Sequence, residues 1–551
     1  MKKETRRSPR DLLKLTRFRP KWIVTGIVLG VGITWLTALT SWVGGGYDNT
    51  NYIALSQAIA EGKGFCRPSI PGCQPEAKFP PGYPLLLSAV WLVWPDFPQN
   101  VWGFKLVSLL AGLLVISLTY ALLSQYEYLP KQDAAFVAAL TGLAPHLFVF
   151  ATSAFSETSY TAFSILALIA IERYGQSADN DWKHWLLAVS SSVFAFYVRS
   201  VGIALGGAGV IYFVLKKEYG KAWRFGAAFV IGALPWLLRS IWLDVGQHSY
   251  LDQLMIYQIK GSDQEHIELA GFLFRILQNV RAYLLAGLPG VTLPSQVPLA
   301  HVNLPAEIQV GTPLPGGDTI LSILIAAGWL GHLFFRRRLL DFYLLCYLGI
   351  CVLWPWEPLR LSVALIPFLF YYLWFEGRMI AQAAGRRWPG VEPYGRRTVL
   401  SLIVLWLAIN SFFQARFAYH YYSDPLSGRK PATQERWRRL NDLFTWLESN
   451  VGHDEVLASK HDDLLYLYTR RHTRRNLTLE GITGDKVDYV VHIPYGGVTV
   501  EGDQSWYLIG SMLKACPTAF EEVYVDPPVD IRVFAVKREE LELGCEPVEA
   551  N

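Results

Sequence analysis

A chain of 551 residues, 52% hydrophobic and with a mean hydropathy of +0.23, is too apolar for an ordinary soluble enzyme. Its apolar residues come in long runs, which reads as a polytopic α-helical membrane protein. The formal net charge is only +4, so the placement of charge matters more than its sum, and no nucleic-acid partner is expected.

The first 21 residues carry nine Lys or Arg against two acids, and arginines recur at Arg336 to Arg338 and between Arg378 and Arg397. By the positive-inside rule these segments, including the amino terminus (1–21), face the cytoplasm. The apolar run 22–43 is long and no small-x-small site closes it, which disfavours a cleaved signal peptide.

The stretch from Tyr47 to Leu87 then forms most of a first outer loop, 44–98. It opens with Asp48 at the membrane edge. Tyr52, Leu55 and Ile59 follow at helical spacing, which predicts an amphipathic helix lying along the interface. Lys78 precedes Phe79-Pro-Pro-Gly-Tyr83, where the prolines set a rigid turn into an apolar segment ending at Trp94.

Apolar spans are expected at 22–43, 99–124, 133–153, 157–172, 183–198, 201–215, 222–243, 318–335, 339–354, 359–376 and 398–416. That makes about eleven, with the amino terminus inside and the carboxyl terminus outside. The Gly-rich run around Gly206 lies within a span and reads as close helix packing. A second outer loop, 244–317, is Pro- and Gly-rich in its later part and too long for a plain connector, so it is expected to act as a lid or binding loop.

From 417 to 551 the composition becomes that of a soluble domain. Helical periodicity at Gln434 to Ser449 is followed by a strand at Val456 and a helix over DDLLYLYT. A strand at Asp488, a helix from Trp506 to Ala515 and two short strands, EEVYV and IRVFAV, complete the pattern. This alternation predicts a small extracytoplasmic α/β domain. His461-Asp462-Asp463 reads as a helix N-cap rather than a metal set. No His/Cys set with zinc spacing appears, and no metal or other cofactor is expected, a divalent ion being the disfavoured alternative. Cys66 with Cys73 and Cys516 with Cys545 are disulfide candidates in an oxidising compartment, while Cys346 and Cys351 fall within a span as free thiols.

Ionic side chains at membrane depth are costly and are therefore functional candidates. Asp48, Lys78, Glu157 in SAFSETSYTAF, Arg199, and Glu357 with Arg360 in WPWEPLRLSVALIP all fall on the outer side. Helix packing could gather them in one outer cavity. A lipid groove, a cationic phosphate site and a carboxylate at one depth are what joining a lipid-borne group to an outside acceptor requires.

The aspartate after the first span, the following short helix, the KFPPGYP turn, the SET-like acid opening the fourth span and the arginine before a Leu/Pro-rich helix together resemble the GT-C superfamily of integral-membrane glycosyltransferases. Within it the likeness is to bacterial enzymes related to protein O-mannosyltransferases and to the lipid A aminoarabinose transferase. The resemblance implies an inverting transferase that moves a sugar from a polyprenyl-phosphate donor to an extracytoplasmic lipid, glycan or protein acceptor, in a bacterial-type inner membrane. It makes Asp48 the general base, with Glu157 beside it. Lys78 and Arg360, with Arg199 as a third, would hold the donor phosphate, and Tyr52, Tyr83 and Glu357 would line the substrate pocket. An O-antigen ligase or polymerase and a lipid-linked sugar flippase are the competing readings.

Overall fold

A computed structural model describes residues 19–44, 47–177, 181–243, 269–292, 317–354, 358–387, 432–494 and 504–542, with short helical pieces between 401 and 412. Helices dominate the first two-thirds. Among the described residues four are long and apolar enough to cross a membrane: α1 (Pro20–Thr37), α4 (Val101–Gln125), α10 (Tyr219–Trp242) and Arg360–Arg387. The pair α5 (Lys131–Gly142) and α6 (Pro145–Ala151), bent by 61°, makes a fifth if taken as one span. Pro145 stands at the break, where it withholds a backbone donor and ends the straight path of the helix.

The other expected spans are also helical, but each is shorter or more polar. They are α7 (Glu157–Gln176), α8 (Trp182–Val198), α9 (Ile203–Leu215), Gly317–Phe335 and Leu339–Leu353. Their polar groups are buried against other helices: Glu172 of α7 accepts from the Tyr128 hydroxyl at 2.6 Å and the Tyr212 hydroxyl at 2.7 Å. Such helices need protein neighbours rather than lipid on that face. The expected span at 398–416 lies largely outside the described residues. At Gly206 and Gly209 of α9 an added Cβ would stand 2.5 Å and 2.4 Å from the rings of Phe229 and Phe225, so the glycine-rich run is the contact between α9 and α10.

The first outer loop departs from expectation in one element. Helix α2 (Tyr47–Ala60) is enclosed by protein on more than its apolar stripe: Tyr52, Ile53, Ala54, Leu55 and Ala58 are all buried, as are Asn51 and Ser56 on other faces. It is enclosed by α3 (Gly82–Val93) and by the helix Asp462–Thr469. Two of its polar residues find partners within the protein: Asn51 Oδ1 accepts from Arg67 and Ser56 Oγ donates to the Ile53 carbonyl. A hairpin of β1 (Cys66–Arg67) and β2 (Gln74–Pro75), closed by the Cys66–Cys73 disulfide, follows α2.

Before its last residue the second outer loop is described only at 269–292, and that part is largely helical. Leu269–Ala282 continues through a π-turn, Tyr283–Gly287, and a final turn, Leu288–Gly290.

Residues 432–542 build a mixed five-stranded sheet of β3 (Leu457–Ala458), β4 (Thr473–Arg474), β5 (Tyr489–His492), β6 (Phe520–Asp526) and β7 (Ile531–Val536). The order is β4-β3-β5-β7-β6, with β3 parallel to both neighbours and the other two pairings antiparallel. Helix Ala432–Asn450 packs on one face through Leu440, Leu443 and Leu447, and Gln504–Ala515 on the other through Ile509 and Met512. Cys516 is disulfide-bonded, and its expected partner Cys545 lies outside the described residues. Cys346 and Cys351 are free thiols.

This sheet unit is fastened to the segment after α1 and to the hairpin that follows α2. Trp42 stacks on Trp437 with centroids 4.9 Å apart, and the Val43 N–H donates to the Tyr468 hydroxyl at 3.2 Å. At Gly44, φ is +127° and a Cβ would fall 2.5 Å from Leu464, so only glycine suits the crossing. Thr473 of β4 donates its N–H to the Ser69 carbonyl at 2.8 Å, joining the sheet edge to the first outer loop.

Candidate active site

Four ionic residues from four elements meet at the end of the bundle on which the sheet unit sits. Asp48 sits in the first turn of α2 and Glu157 in the first turn of α7, where the free N–H groups and the helix dipole favour a negative charge. Arg199 follows the last residue of α8 in extended backbone, φ −149° and ψ 133°, before a 3-10 turn leads into α9. Arg360 lies in the short helix Pro358–Ser362.

Arg360 joins both carboxylates. Its Nη1 is 2.6 Å from Asp48 Oδ2 and its Nε 2.5 Å from Glu157 Oε1. Arg199 Nη1 reaches the same Glu157 oxygen at 2.7 Å and donates to Ser156 Oγ at 3.0 Å. Ser156 Oγ also lies 3.2 Å from the Tyr52 hydroxyl, and the Arg360 guanidinium stands 5.1 Å over the Phe155 ring. The planar fork of arginine suits this double contact.

Exposure separates the roles. The Glu157 side chain is 2% exposed, while Asp48 and Arg360 keep 20% and 28%. A substrate can therefore reach Asp48 and Arg360, whereas Glu157 acts from behind by fixing two guanidinium groups. Glu157 Oε2 and Arg360 Nη2 are both buried without a hydrogen-bond partner among the described residues, which leaves unused polar capacity in the cluster.

Burial alone would push the Asp48 carboxyl up, but Arg360, Lys78 and Arg199 outweigh it and hold Asp48 below the usual carboxylate value of 3.8. Lys78 moves the opposite way from most paired lysines: burial lowers it, against the pull of Asp48 and Glu76. No carboxylate lies within ion-pair distance of its ammonium among the described residues, and the group stands 5.4 Å from the Phe79 centroid. Burial pushes the Tyr52 phenol up, so it stays protonated as a hydrogen-bond donor.

The other expected residues stand differently. Tyr83 is fully buried, with its ring edge-on to Tyr52 at 5.0 Å and its hydroxyl 2.7 Å from Ser108 Oγ, so it backs Tyr52 rather than facing the ions. Glu357 lies outside the described residues. His461 occupies the N-cap position of its helix without a side-chain cap bond, and Asp462 and Asp463 turn instead toward Arg67.

Three contributors had no signal in the sequence. Ser156 bridges Tyr52 and Arg199, and only its place beside Glu157 could have marked it. Asn279, from the second outer loop, donates to the carbonyls of Val352 at 2.9 Å and Trp354 at 2.7 Å, tying down the chain just before the Arg360 turn. Gly287 packs against that turn so closely that a Cβ would lie 2.9 Å from Pro358 and 3.0 Å from Ser362 Oγ.

Comparison with known proteins follows the same lines. A family model described as dolichyl-phosphate-mannose-protein mannosyltransferase matches residues 78–242. No curated protein matches the sequence. Among solved structures, ArnT from Cupriavidus metallidurans bound to undecaprenyl phosphate superposes with a TM-score of 0.57 at 15% identity, covering 94% of this chain and 98% of that one. The archaeal oligosaccharyltransferase AglB from Archaeoglobus fulgidus, in complex with an inhibitory peptide and a dolichol-phosphate, gives 0.52 at 12% identity, covering 94% and 74%. The chain thus has the GT-C fold of membrane glycosyltransferases, with the mannosyltransferase family pattern in the segment that runs from Lys78 through Glu157 and Arg199.

Proposed function

We propose that this protein transfers a sugar from a polyprenyl-phosphate donor to the hydroxyl of an extracytoplasmic acceptor, with inversion at the anomeric carbon. The observation that carries the reading is the open Asp48–Arg360 pair, backed by the sealed Glu157 and flanked by Lys78. The two relatives with bound lipid phosphates, undecaprenyl phosphate in one and dolichol-phosphate in the other, support a donor of that class.

In the proposed step the acceptor oxygen attacks the anomeric carbon, the bond from that carbon to the phosphate oxygen breaks, and the phosphate keeps the electron pair. Lys78 and Arg360, with Arg199 behind, stabilise the charge that grows there. As Arg360 turns from Asp48 to the phosphate, the carboxylate loses its strongest cationic neighbour and becomes more basic. It then takes the acceptor proton as the new bond makes that hydroxyl acidic. The guanidinium and ammonium groups supply the positive charge, so no resident metal is invoked.

The supporting architecture is part of the same reading. Residues 1–21 are cytoplasmic, 22–416 form a catalytic membrane domain of about eleven spans, and 417–551 form an extracytoplasmic α/β domain. The membrane is of the bacterial inner type. Tyr52 lines the sugar and acceptor pocket.

Asp48→Asn tests this directly. The amide keeps the shape but cannot take a proton, so transfer should fall by about 10²–10⁴-fold while polyprenyl-phosphate binding survives. Wild-type turnover in this variant would remove Asp48 as the base.

A further inference from the structure

We propose that Glu76 and Arg67 are positioning residues that set the Lys78 ammonium against Asp48; the inference rests on Lys78 contacting the donor phosphate as proposed above. Glu76 Oε1 accepts from the backbone N–H of Lys78 at 2.6 Å and of Phe79 at 3.2 Å. One carboxylate oxygen thus fixes the two peptide units that carry the ammonium. The other, Oε2, accepts from Arg67 Nε at 2.9 Å, and both residues are buried.

Arg67 also donates through Nη2 to Asn51 Oδ1 at 2.9 Å. Asn51 lies three residues after Asp48 in α2, on the next turn of the same helix. One guanidinium therefore ties the turn bearing Lys78 to the helix bearing Asp48. Behind it stand Asp462 Oδ2 at 3.6 Å and Asp463 Oδ2 at 4.0 Å, and Asp463 Oδ1 accepts from Ser69 Oγ at 2.6 Å. The sheet unit so braces the hairpin closed by the Cys66–Cys73 disulfide.

Burying a guanidinium among carboxylates is a costly way to dock two surfaces, since apolar contacts would hold them as well. What the ionic chain adds is a fixed register between a cation and a carboxylate that come from different elements. None of these residues reaches the reacting atoms, so they act through Lys78.

The test is a titration of the full chain in detergent micelles with undecaprenyl phosphate, for wild type, Glu76→Ala, Glu76→Gln, Lys78→Ala and the Glu76→Ala/Lys78→Ala double variant. Wild type should bind, and Glu76→Ala should weaken binding about tenfold. Glu76→Gln, whose amide oxygen still accepts from the two N–H groups while its NH2 now faces the Arg67 Nε–H, should restore only part of it. In the Lys78→Ala background Glu76→Ala should add nothing, because the two changes remove the same interaction. Wild-type affinity in Glu76→Ala, or a tenfold loss that persists without Lys78, overturns the positioning role alone. A wild type that fails to bind sinks the donor reading and this inference with it.

Discussion

At the scale of the residue, Arg360 is the group on which both carboxylates depend, and its shape matters as much as its charge. A lysine ammonium at this position is a single point and cannot meet Asp48 and Glu157 from two edges of one plane. Arg360→Lys should therefore keep the fold but misplace Asp48, lowering kcat by about 10²-fold. Steady-state kinetics at saturating donor would show it, and a kcat near wild type would mean that charge alone suffices. Asp48, Glu157, Arg199 and Arg360 were legible because an ion beside an apolar run is expensive and demands a reason. Ser156, Asn279 and Asn51 were not, since a serine or an asparagine near a helix end usually serves its own backbone. Their partners here lie 43 to 104 positions away for Ser156 and Asn279, a separation that no local pattern encodes.

At the scale of the element, the start of α3 is set by contact with α8. A Cβ on Gly82 would stand 2.6 Å from the carbonyl carbon and oxygen of Tyr197 and 2.7 Å from the Val198 nitrogen, all backbone atoms that cannot move aside. Gly82→Ala should destabilise the protein by about 1–3 kcal/mol and displace the Lys78 turn, read as a lower unfolding temperature with a raised donor KM. An unchanged melting profile would mean that α3 and α8 can separate. The helix Asp462–Thr469 makes a different prediction. Burial raises both Asp462 and Asp463 above the usual 3.8, each carboxyl is partly drawn back by Arg67, and Asp462 is raised further by its neighbour. The docked state then holds these protons more tightly than the open one, so the pair favours docking at low pH, and that contribution fades as the pH rises from about 3.8 through the raised values. Hydrogen exchange in the hairpin 66–75 should be slower at pH 5 than at pH 8 after correction for the intrinsic rate, and Asp462→Asn should flatten the difference. Equal corrected protection would exclude the pair as a pH-sensitive contact. The PPGYP turn and most helices of the tail were readable from proline placement and period. The burial of α2 by protein was not legible, because an apolar stripe looks the same whether it meets lipid or protein. Its burial on the other faces depends on α3 and on a helix some four hundred residues further along.

At the scale of the whole molecule, the arrangement is polar in the sense of having two different ends. Asp48, Lys78, Arg199 and Arg360 gather at the end capped by the sheet unit, which is fastened there by Trp42 on Trp437, Tyr468 on Val43 and Asp463 on Ser69. The turns between α4 and α5, between α9 and α10, and between Gly317–Phe335 and Leu339–Leu353 belong to the opposite ends of those helices and carry Lys131, Lys216, Lys217 and Arg336 to Arg338. The basic turns predict the cytoplasmic side, so the carboxylate cluster and the sheet unit must share the outer one. Two variants, each with one added cysteine, decide it. Glu448→Cys is on an exposed face of the sheet unit and Lys216→Cys is exposed in the opposite turn, while the native free thiols Cys346 and Cys351 stand within a helix. On intact cells a membrane-impermeant maleimide should modify Glu448→Cys and spare Lys216→Cys until the membrane is permeabilised. The reverse pattern would turn the cluster toward the cytoplasm, where an outer-leaflet donor could not meet Asp48, and the transfer proposed for it would have to be abandoned along with the orientation.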